Sequence, residues 1–158
     1  MIVLTHEEGM RFALAEARKA LDEGEVPIGA VIVRDGRIVG RGHNQTERLQ
    51  DATAHAEILA IGAASATVGS WRLSDCVMYV TLEPCIMCSG ALVLSRMGLL
   101  VYGAVDPKAG ACGSRIHVLA EPWLNHQLPT QSGLLAEECG GILTAFFETK
   151  RASASGKD

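Results

Sequence analysis

The stretch YVTLEPCIMCSGAL, residues 79–92, runs from an apolar segment into a pair of cysteines. The overlapping segment CVMYVTL is rich in β-branched and aromatic residues, which predicts a buried strand. Pro84 suits the opening of a helix, because its missing N–H falls where helix amides lack partners, and CIMCSGALVLSRM continues that helix. The sequence therefore predicts Cys85 and Cys88 three residues apart at a helix start.

The N-terminal segments predict a helix followed by a hairpin. Thr5 and Glu8 match a capping box, and apolar residues recur at helical spacing afterwards, which favours a helix over residues 5–23. The run PIGAVIVRDGRIVGRG contains an Asp-Gly turn at Asp35 and Gly36 between two β-rich segments. Such a turn is typical of two antiparallel strands.

The remaining segments indicate a mixed sheet covered by helices. Thr53 is a suitable N-cap for a helix through about residue 66, with His55 and Glu57 in its first turn. LLVYGAV predicts another short buried strand, and ECGGILTAFFETKR predicts the last helix. Because strands separated by helices usually pair in parallel, the sheet should combine parallel and antiparallel strands.

Length and composition indicate one globular domain. The chain has 158 residues, of which 48% are hydrophobic and 20% charged, so it can bury one core and is too hydrophobic for disorder. We expect a single domain over residues 1–151 and a frayed tail over 152–158. Residues 106–127 predict a long loop, and loops of this length within a compact domain commonly serve function.

Charge and cysteine content narrow the class of protein. Residues 1–10 lack the basic start and the long apolar stretch of a secretory signal, so we expect a cytoplasmic protein with no membrane partner. Five cysteines favour a metal site or simple packing over a disulfide framework. The net charge of −4 does not favour nucleic-acid binding, although a local basic patch can still hold phosphate.

His55, Cys85 and Cys88 supply an imidazole nitrogen and two thiolate sulfurs, a ligand set that suits Zn²⁺. Three protein ligands leave the fourth tetrahedral position open, and a water bound there loses a proton near neutral pH. Glu57 lies two residues after the histidine, where its carboxylate can move that proton. The pattern H-x-E followed by P-C-x-x-C is the signature of zinc nucleobase deaminases.

Other interpretations of these residues remain open at this point. A structural zinc would need a fourth ligand, and Cys76, Cys112 or Cys139 can in principle supply it. A lone C-x-x-C also occurs in redox proteins, but that hypothesis leaves His55 and Glu57 unexplained. A non-catalytic zinc-stabilised subunit should lack the proton-moving carboxylate.

Motifs along nearly the whole chain resemble those of the tRNA adenosine deaminases, a family in the cytidine deaminase-like superfamily. The matching stretches are EVPIGAVIV, GHNQ, TAHAEILA, YVTLEPCIMCSGAL, VYGAVDPKAGACGS, LNH, LLAEECGGIL and FFETKR. The resemblance implies a three-layer α/β/α cytidine deaminase-like fold with a mixed five-stranded sheet. It also implies a homodimer that binds one Zn²⁺ per subunit and acts on a tRNA anticodon stem-loop.

The resemblance further implies hydrolytic deamination of the wobble adenosine to inosine. Zinc-bound hydroxide attacks C6 of the flipped adenine, and Glu57 protonates N1 and then the leaving amine. Asn44 contacts the target nucleoside, and Asp106 lies close to the preceding nucleotide, where its carboxylate can accept a hydrogen bond from a ribose 2′-hydroxyl. The other substrate-binding residues implied in this way are Val26, Pro27, Ile28, Ala56, Glu83, Pro84, Lys108 and Phe147, with Lys150 and Arg151 as further phosphate contacts.

The chain departs from the family pattern at two places. Ala52 stands where members commonly have proline, and Gly140 and Gly141 interrupt a helix that is usually alanine-rich. These departures affect the expected RNA affinity more than the chemistry. The acidic net charge and the short tail favour the alternative of a deaminase for a free base or nucleoside such as guanine or cytosine. The loop motifs and LNH favour tRNA.

Overall fold

The computed structural model describes residues 2, 3 and 5–155. Its elements follow the chain in this order: α1 (His6–Asp22), β1 (Gly29–Arg34), β2 (Arg37–His43), α2 (Thr46–Leu49), α3 (Ala56–Val68), β3 (Cys76–Leu82), α4 (Ile86–Leu94), β4 (Leu99–Ala104), a 3-10 helix (Val118–Ala120), β5 (Thr130–Gln131) and α5 (Ala136–Ser155). The strands form one sheet in the order β2-β1-β3-β4-β5.

The sheet is mixed. Strand β1 pairs antiparallel with β2 and with β3, whereas β3, β4 and β5 run parallel to one another. Helices α3 and α4 cover one face, and α1 and α5 cover the other. The expected mixed five-stranded sheet covered by helices is confirmed.

Side-chain alternation along the strands divides the core between the two faces. Ile32, Met78 and Leu100 pack toward α3 and α4, while their neighbours Val31, Tyr79 and Val101 pack toward α1 and α5. All six side chains are at least 96% buried. Because successive side chains of a strand point to opposite faces, both layers receive a continuous apolar surface.

The predicted helix and hairpin at the N-terminus are confirmed. The Glu8 amide donates to Thr5 Oγ1 and the Thr5 amide donates to Glu8 Oε2, each at 3.1 Å, so the capping box begins α1. Asp35 and Gly36 have φ angles of 51° and 73°. These left-handed conformations give the turn the twist that joins β1 to β2.

The helix boundaries differ from the sequence expectation. His55, not Thr53, is the N-cap of α3, because the amide and hydroxyl of Thr53 both donate to Asp51 Oδ1. Helix α4 ends at Leu94, and Arg96 with a φ of 58° prevents the predicted extension through residue 97.

The predicted frayed tail is in part helical. Helix α5 spans Ala136–Ser155 and so includes residues 152–155, while residues 156–158 lie outside the described part of the chain. No helix within the described ranges is long and apolar enough to cross a membrane.

Four strand ends bring distant segments to one edge of the sheet. Gly29 of β1 pairs with His43 at the end of β2, Ala30 pairs with Val80 near the end of β3, and Leu82 pairs with Ala104 at the end of β4. The residues just before β1 and just after β2, β3 and β4 therefore meet. Open α/β sheets commonly bind ligands at the carboxyl ends of their parallel strands.

Candidate functional site

Three potential metal ligands meet where α3 and α4 begin. His55 is the N-cap of α3, Cys85 is the N-cap of α4, and Cys88 lies in the first turn of α4. His55 Nδ1 lies 3.5 Å from Cys88 Sγ and 3.7 Å from Cys85 Sγ. The three donor atoms lie within 4.8 Å of one another, so these residues can hold one metal ion.

The side chains of the two N-cap residues, His55 and Cys85, face each other, and neither forms a hydrogen bond to the start of its own helix. Asn44 takes over part of the capping of α3, since its Oδ1 accepts a hydrogen bond of 2.9 Å from the Ala56 amide. His55 and Cys85 are thus left to meet at the sheet edge. The two helix N-termini also bring partial positive charge to this position, which favours thiolates.

The two thiols of the cluster differ in acidity. The hydrogen bond from Cys88 and, after it, the one from His55 lower the pKa of Cys85 to about 3, against an opposing effect of burial. The bond to Cys85, together with burial, raises the pKa of Cys88. The lowered pKa of Cys85 favours its thiolate, which is the form that binds metal.

Glu57 lies beside this cluster as the second residue of α3, with 4% of its surface exposed. Burial raises the pKa of Glu57, and its carboxyl interacts with the Cys88 thiol. A carboxyl group that is easily protonated next to a metal cluster suits proton transfer.

Asn44 is fixed in orientation and is 8% exposed. Its amide N–H donates to the Ile28 carbonyl at 3.1 Å, and its side-chain Oδ1 is occupied by Ala56. No hydrogen bond among the described residues occupies Nδ2. The side chain therefore retains a donor for a ligand.

A cavity of about 670 Å³ lies at the same edge of the sheet, between the ends of β3 and β4 and helix α5. None of the three potential metal ligands lines it. Several residues predicted to bind substrate or phosphate do line it, namely Val26, Ile28, Asp106, Lys108, Phe147 and Arg151.

Five predicted substrate-binding residues do not line this cavity, namely Asn44, Pro27, Ala56, Glu83 and Pro84. Pro27 is buried, and Ala56 is fully buried within the core on the α3 face. The backbone of Glu83 and Pro84 is also engaged: the Glu83 amide donates to the Ala104 carbonyl at 2.8 Å, and the Pro84 carbonyl accepts from the Ala111 amide at 2.9 Å. Both residues hold neighbouring segments together.

Asp106 uses one carboxylate oxygen to shape its own turn. Its Oδ1 accepts hydrogen bonds from the amides of Lys108 at 3.0 Å and Ala109 at 3.2 Å. Lys108 itself is exposed. The turn leaves Oδ2 of Asp106 without a hydrogen bond to any described residue.

The two phenylalanines of α5 differ in exposure, as the helical spacing requires. Phe146 is 8% exposed and packs toward the protein, whereas Phe147 is 43% exposed and lines the cavity. Lys150 Nζ lies 5.5 Å from the centre of the Phe146 ring, which is a cation–π distance. Phe147 is therefore the ring available for stacking.

The other three cysteines stay out of the metal cluster. Cys76, Cys112 and Cys139 are at most 3% exposed, and burial raises the pKa of each to about 11. Among the described residues, the only group of three or more potential ligands is His55, Cys85 and Cys88. The structure thus offers no cysteine as a fourth ligand.

Two buried carboxylates have roles that the sequence did not predict. Glu83 Oε1 accepts the amide of Asp106, and Glu83 Oε2 accepts the amides of Cys112 and Ser114. Glu25, 3% exposed, accepts the amides of Glu47 at 3.0 Å and Arg48 at 2.8 Å. The only signal in the sequence was an acidic residue beside an apolar run, which does not identify its partners.

Comparisons with known proteins agree with this arrangement. The model of the MafB19-like deaminase family matches residues 4–151. The tRNA-specific adenosine deaminase of Bacillus subtilis (strain 168) is 52% identical over 142 residues, which cover 90% of this chain and 88% of that one.

Two solved structures are also similar. A structure from a study of A-to-I editing by tRNA:A34 deaminases at the wobble position of transfer RNA has a TM-score of 0.82 and 47% identity, covering 85% of this chain and 98% of that one. A guanine deaminase from Bacillus subtilis is less similar, with a TM-score of 0.64 and 31% identity, covering 94% of this chain and 95% of that one.

The site and these similarities point to the same group of enzymes. A cluster of one histidine and two cysteines, a buried glutamate beside it and a mixed five-stranded sheet occur together in a chain that aligns with such deaminases over about nine-tenths of its length. The chain belongs to the tRNA-specific adenosine deaminases, within the MafB19-like deaminase family.

Proposed function

We propose that this protein converts the wobble adenosine of a tRNA anticodon loop to inosine by hydrolytic deamination, in the cytoplasm. The observation that carries the proposal is the meeting of His55, Cys85 and Cys88 beside the buried Glu57, within a chain of this family. The proposal assigns metal binding to the first three residues and proton transfer to Glu57.

The donor set fits Zn²⁺. One imidazole nitrogen and two sulfurs are ligands that zinc prefers, and the lowered pKa of Cys85 favours its thiolate. We propose one Zn²⁺ per subunit. His55, Cys85 and Cys88 would hold the ion, which would supply a water activated for nucleophilic attack.

Glu57 moves the protons in this proposal. Its buried carboxyl takes one proton from the attacking water and delivers it to N1 of the adenine, and then takes the remaining hydroxyl proton and delivers it to the leaving amine. Burial raises the pKa of Glu57, which makes the protonated form accessible during the reaction. Water replaces the 6-amino group, so ammonia leaves and inosine is the product.

Asn44 orients the target base. Because Oδ1 is held by the Ala56 amide, the group turned toward a ligand is the Nδ2 donor. We assign it to a hydrogen-bond acceptor on the target nucleoside. The same bond fixes the start of α3, so substrate contact and placement of His55 depend on one side chain.

The adjacent cavity takes a neighbouring nucleotide. Its volume of about 670 Å³ accommodates a base, and Phe147 and Ile28 offer apolar surface for that base. Asp106 is assigned to a ribose 2′-hydroxyl through its remaining carboxylate oxygen, and Lys108 and Arg151 to phosphates. These contacts give the acidic chain a local site for RNA.

An exposed apolar groove supports the proposed homodimer. The groove lies between α3 and α4, has a volume of about 370 Å³, and is lined by Ile58, Ile61, Trp71 and Leu94 among others. Leu94 is 72% exposed and Trp71 is 56% exposed. Apolar patches of this kind often mark contacts between proteins, and this one adjoins the helices that carry the metal ligands.

The variant Leu94→Glu should convert the dimer to a monomer, because it places a charge in the centre of the apolar groove. Sedimentation velocity at micromolar concentration measures the change. The matched control is Ile116→Glu, at another exposed apolar residue outside the groove. A wild-type protein that sediments as a monomer would remove the dimer from the proposal.

A substrate comparison tests the proposed function against a free-base deaminase. Zinc-loaded protein is given an anticodon stem-loop RNA, free adenosine, guanine and cytosine, and ammonia release is measured for each. We expect release from the stem-loop alone. Release from guanine or cytosine, with none from RNA, would instead assign the protein to free bases.

A further inference from the structure

Glu83 directly precedes Pro84 and the metal-binding C-x-x-C, yet its carboxylate serves a different segment. That segment is residues 106–114, here named the Asp106 loop, which follows β4 and has no regular helix or strand. The loop contains Asp106 and Lys108, both assigned above to RNA. Glu83 is 2% exposed, so the loop encloses its side chain.

Both carboxylate oxygens are filled by donors from this loop. Oε1 accepts the Asp106 amide at 3.1 Å and the Ser114 hydroxyl, and Oε2 accepts the amides of Cys112 at 3.0 Å and Ser114 at 3.1 Å. Three backbone amides and one hydroxyl thus converge on one buried charge. Hydrogen bonds to an ionised acceptor are about twice as strong as neutral ones.

Gly110 shows how closely the loop surrounds the carboxylate. A Cβ atom built at this position would overlap the Glu83 carboxyl group, although the backbone of Gly110 is not in the left-handed region. The glycine is therefore required by the approach to Glu83 and not by its own backbone conformation. The Gly110 amide also donates to the Asp106 carbonyl at 2.9 Å, which closes the turn.

The hydrogen-bond partners of Glu83 are all donors. Among the described residues, three backbone amides and one hydroxyl bond to its carboxylate oxygens, an arrangement that suits a group that only accepts hydrogen bonds. Without that carboxylate, three amides would lose their acceptor in a buried position, which is costly.

We propose that Glu83 is a positioning residue that fixes the Asp106 loop in the conformation that receives the nucleotide beside the target. The inference rests on the proposed function, because it assumes that Asp106 and Lys108 contact RNA. Glu83 acts through the loop: it holds the Asp106 amide, and Asp106 in turn holds the amides of Lys108 and Ala109. An ordered loop saves the entropy that binding would otherwise cost.

The variant Glu83→Gln tests this role with little change of shape. The glutamine side chain replaces one carboxylate oxygen by an NH₂ group, which needs a hydrogen-bond acceptor. Only the Oε1 position offers one, the oxygen of the Ser114 hydroxyl, so the NH₂ group should take that position. The Asp106 amide then loses its partner. The variant Gly110→Ala disturbs the same contact from the loop side and leaves residue 83 a glutamate, and it covers the case in which Glu83→Gln does not fold.

We expect both variants to raise KM for the anticodon stem-loop about tenfold or more, with a smaller effect on kcat, as the loss of a charged hydrogen bond predicts. Hydrogen exchange at the amides of Asp106, Cys112 and Ser114 should accelerate by a similar factor. Bound zinc should stay at about one ion per chain, since the ligands are untouched. Glu121→Gln, an exposed acid in the following loop, should match the wild type in all three measurements.

Two results would overturn the inference. Wild-type exchange rates in both variants would show that the loop does not depend on Glu83. Loss of zinc at wild-type exchange rates would assign Glu83 to the metal-binding turn. If the wild type does not act on RNA at all, the proposed function fails, whereas the exchange measurement still decides whether Glu83 anchors the loop.

Discussion

Glu57→Ala and the isosteric Glu57→Gln should bind zinc as the wild type does and lose nearly all deamination. The proton carrier is removed while the three proposed ligands stay in place, and general acid–base catalysis typically contributes about 10²–10⁴ in rate. We therefore expect a fall of this size in the single-turnover rate on an anticodon stem-loop. Zinc content and the melting temperature are measured on the same samples.

The glutamine variant separates proton transfer from packing. Glu57 is 4% exposed, so alanine leaves a cavity, whereas glutamine fills the same space and cannot exchange a proton. If either variant keeps a rate near that of the wild type, Glu57 is not the proton carrier. A loss of zinc from Glu57→Gln would instead make it part of the metal site.

Replacing a metal ligand should remove zinc and stability together. His55→Ala and Cys88→Ser should each lower bound zinc from about one ion per chain to almost none, because three protein ligands leave no redundancy. Both variants should also lose the stabilisation that the metal provides to the wild type, about 4 kcal/mol when free zinc exceeds its Kd a thousandfold. Elemental analysis and thermal unfolding with and without chelator measure both effects.

Cys112→Ala is the matched control for these ligand variants. Cys112 is also a buried cysteine, and its sulfur lies 3.4 Å from Ser89 Oγ on the same helix as Cys88, but it does not belong to the metal cluster. It should keep zinc while losing some stability from packing. Unchanged metal content in His55→Ala would exclude His55 as a ligand.

Elements with strong local signals could be predicted from the sequence. The capping box at Thr5 and the Asp-Gly turn at Asp35 and Gly36 begin or join elements through contacts a few residues apart. Such short-range contacts require particular residue types at fixed spacings, so the sequence alone predicts them. The prediction of Thr53 as the N-cap of α3 was wrong, because Asp51, only two residues earlier, accepts hydrogen bonds from the amide and the hydroxyl of Thr53 in a turn.

Elements that depend on distant partners were not located. Helix α2 has four residues, and its first amides are bound by Glu25, more than twenty positions earlier in the chain. Strand β5 has two residues and exists through pairing with β4. Neither segment is long enough to show a hydrophobic period, so only tertiary contacts define it.

The residues of the candidate site also differ in whether their roles leave a pattern in the sequence. The sequence predicts His55, Glu57 and the two cysteines as site residues because the chemistry requires those residue types at fixed spacings, and the structure brings His55 and the two cysteines together. The anchoring role of Glu83 could not be predicted, since its donors are backbone amides that any residue carries, 23 to 31 positions away. The burial of Ala56 in the core could not be predicted from the sequence either.

Mapping inosine in RNA tests directly whether this protein deaminates the wobble adenosine. Zinc-loaded protein is incubated with an anticodon stem-loop that has adenosine at the wobble position and at other loop positions, and inosine is located by sequencing after reverse transcription. We expect inosine at the wobble position alone, and none when that position is guanosine. A folded, zinc-containing sample that leaves the wobble adenosine unchanged would contradict this expectation.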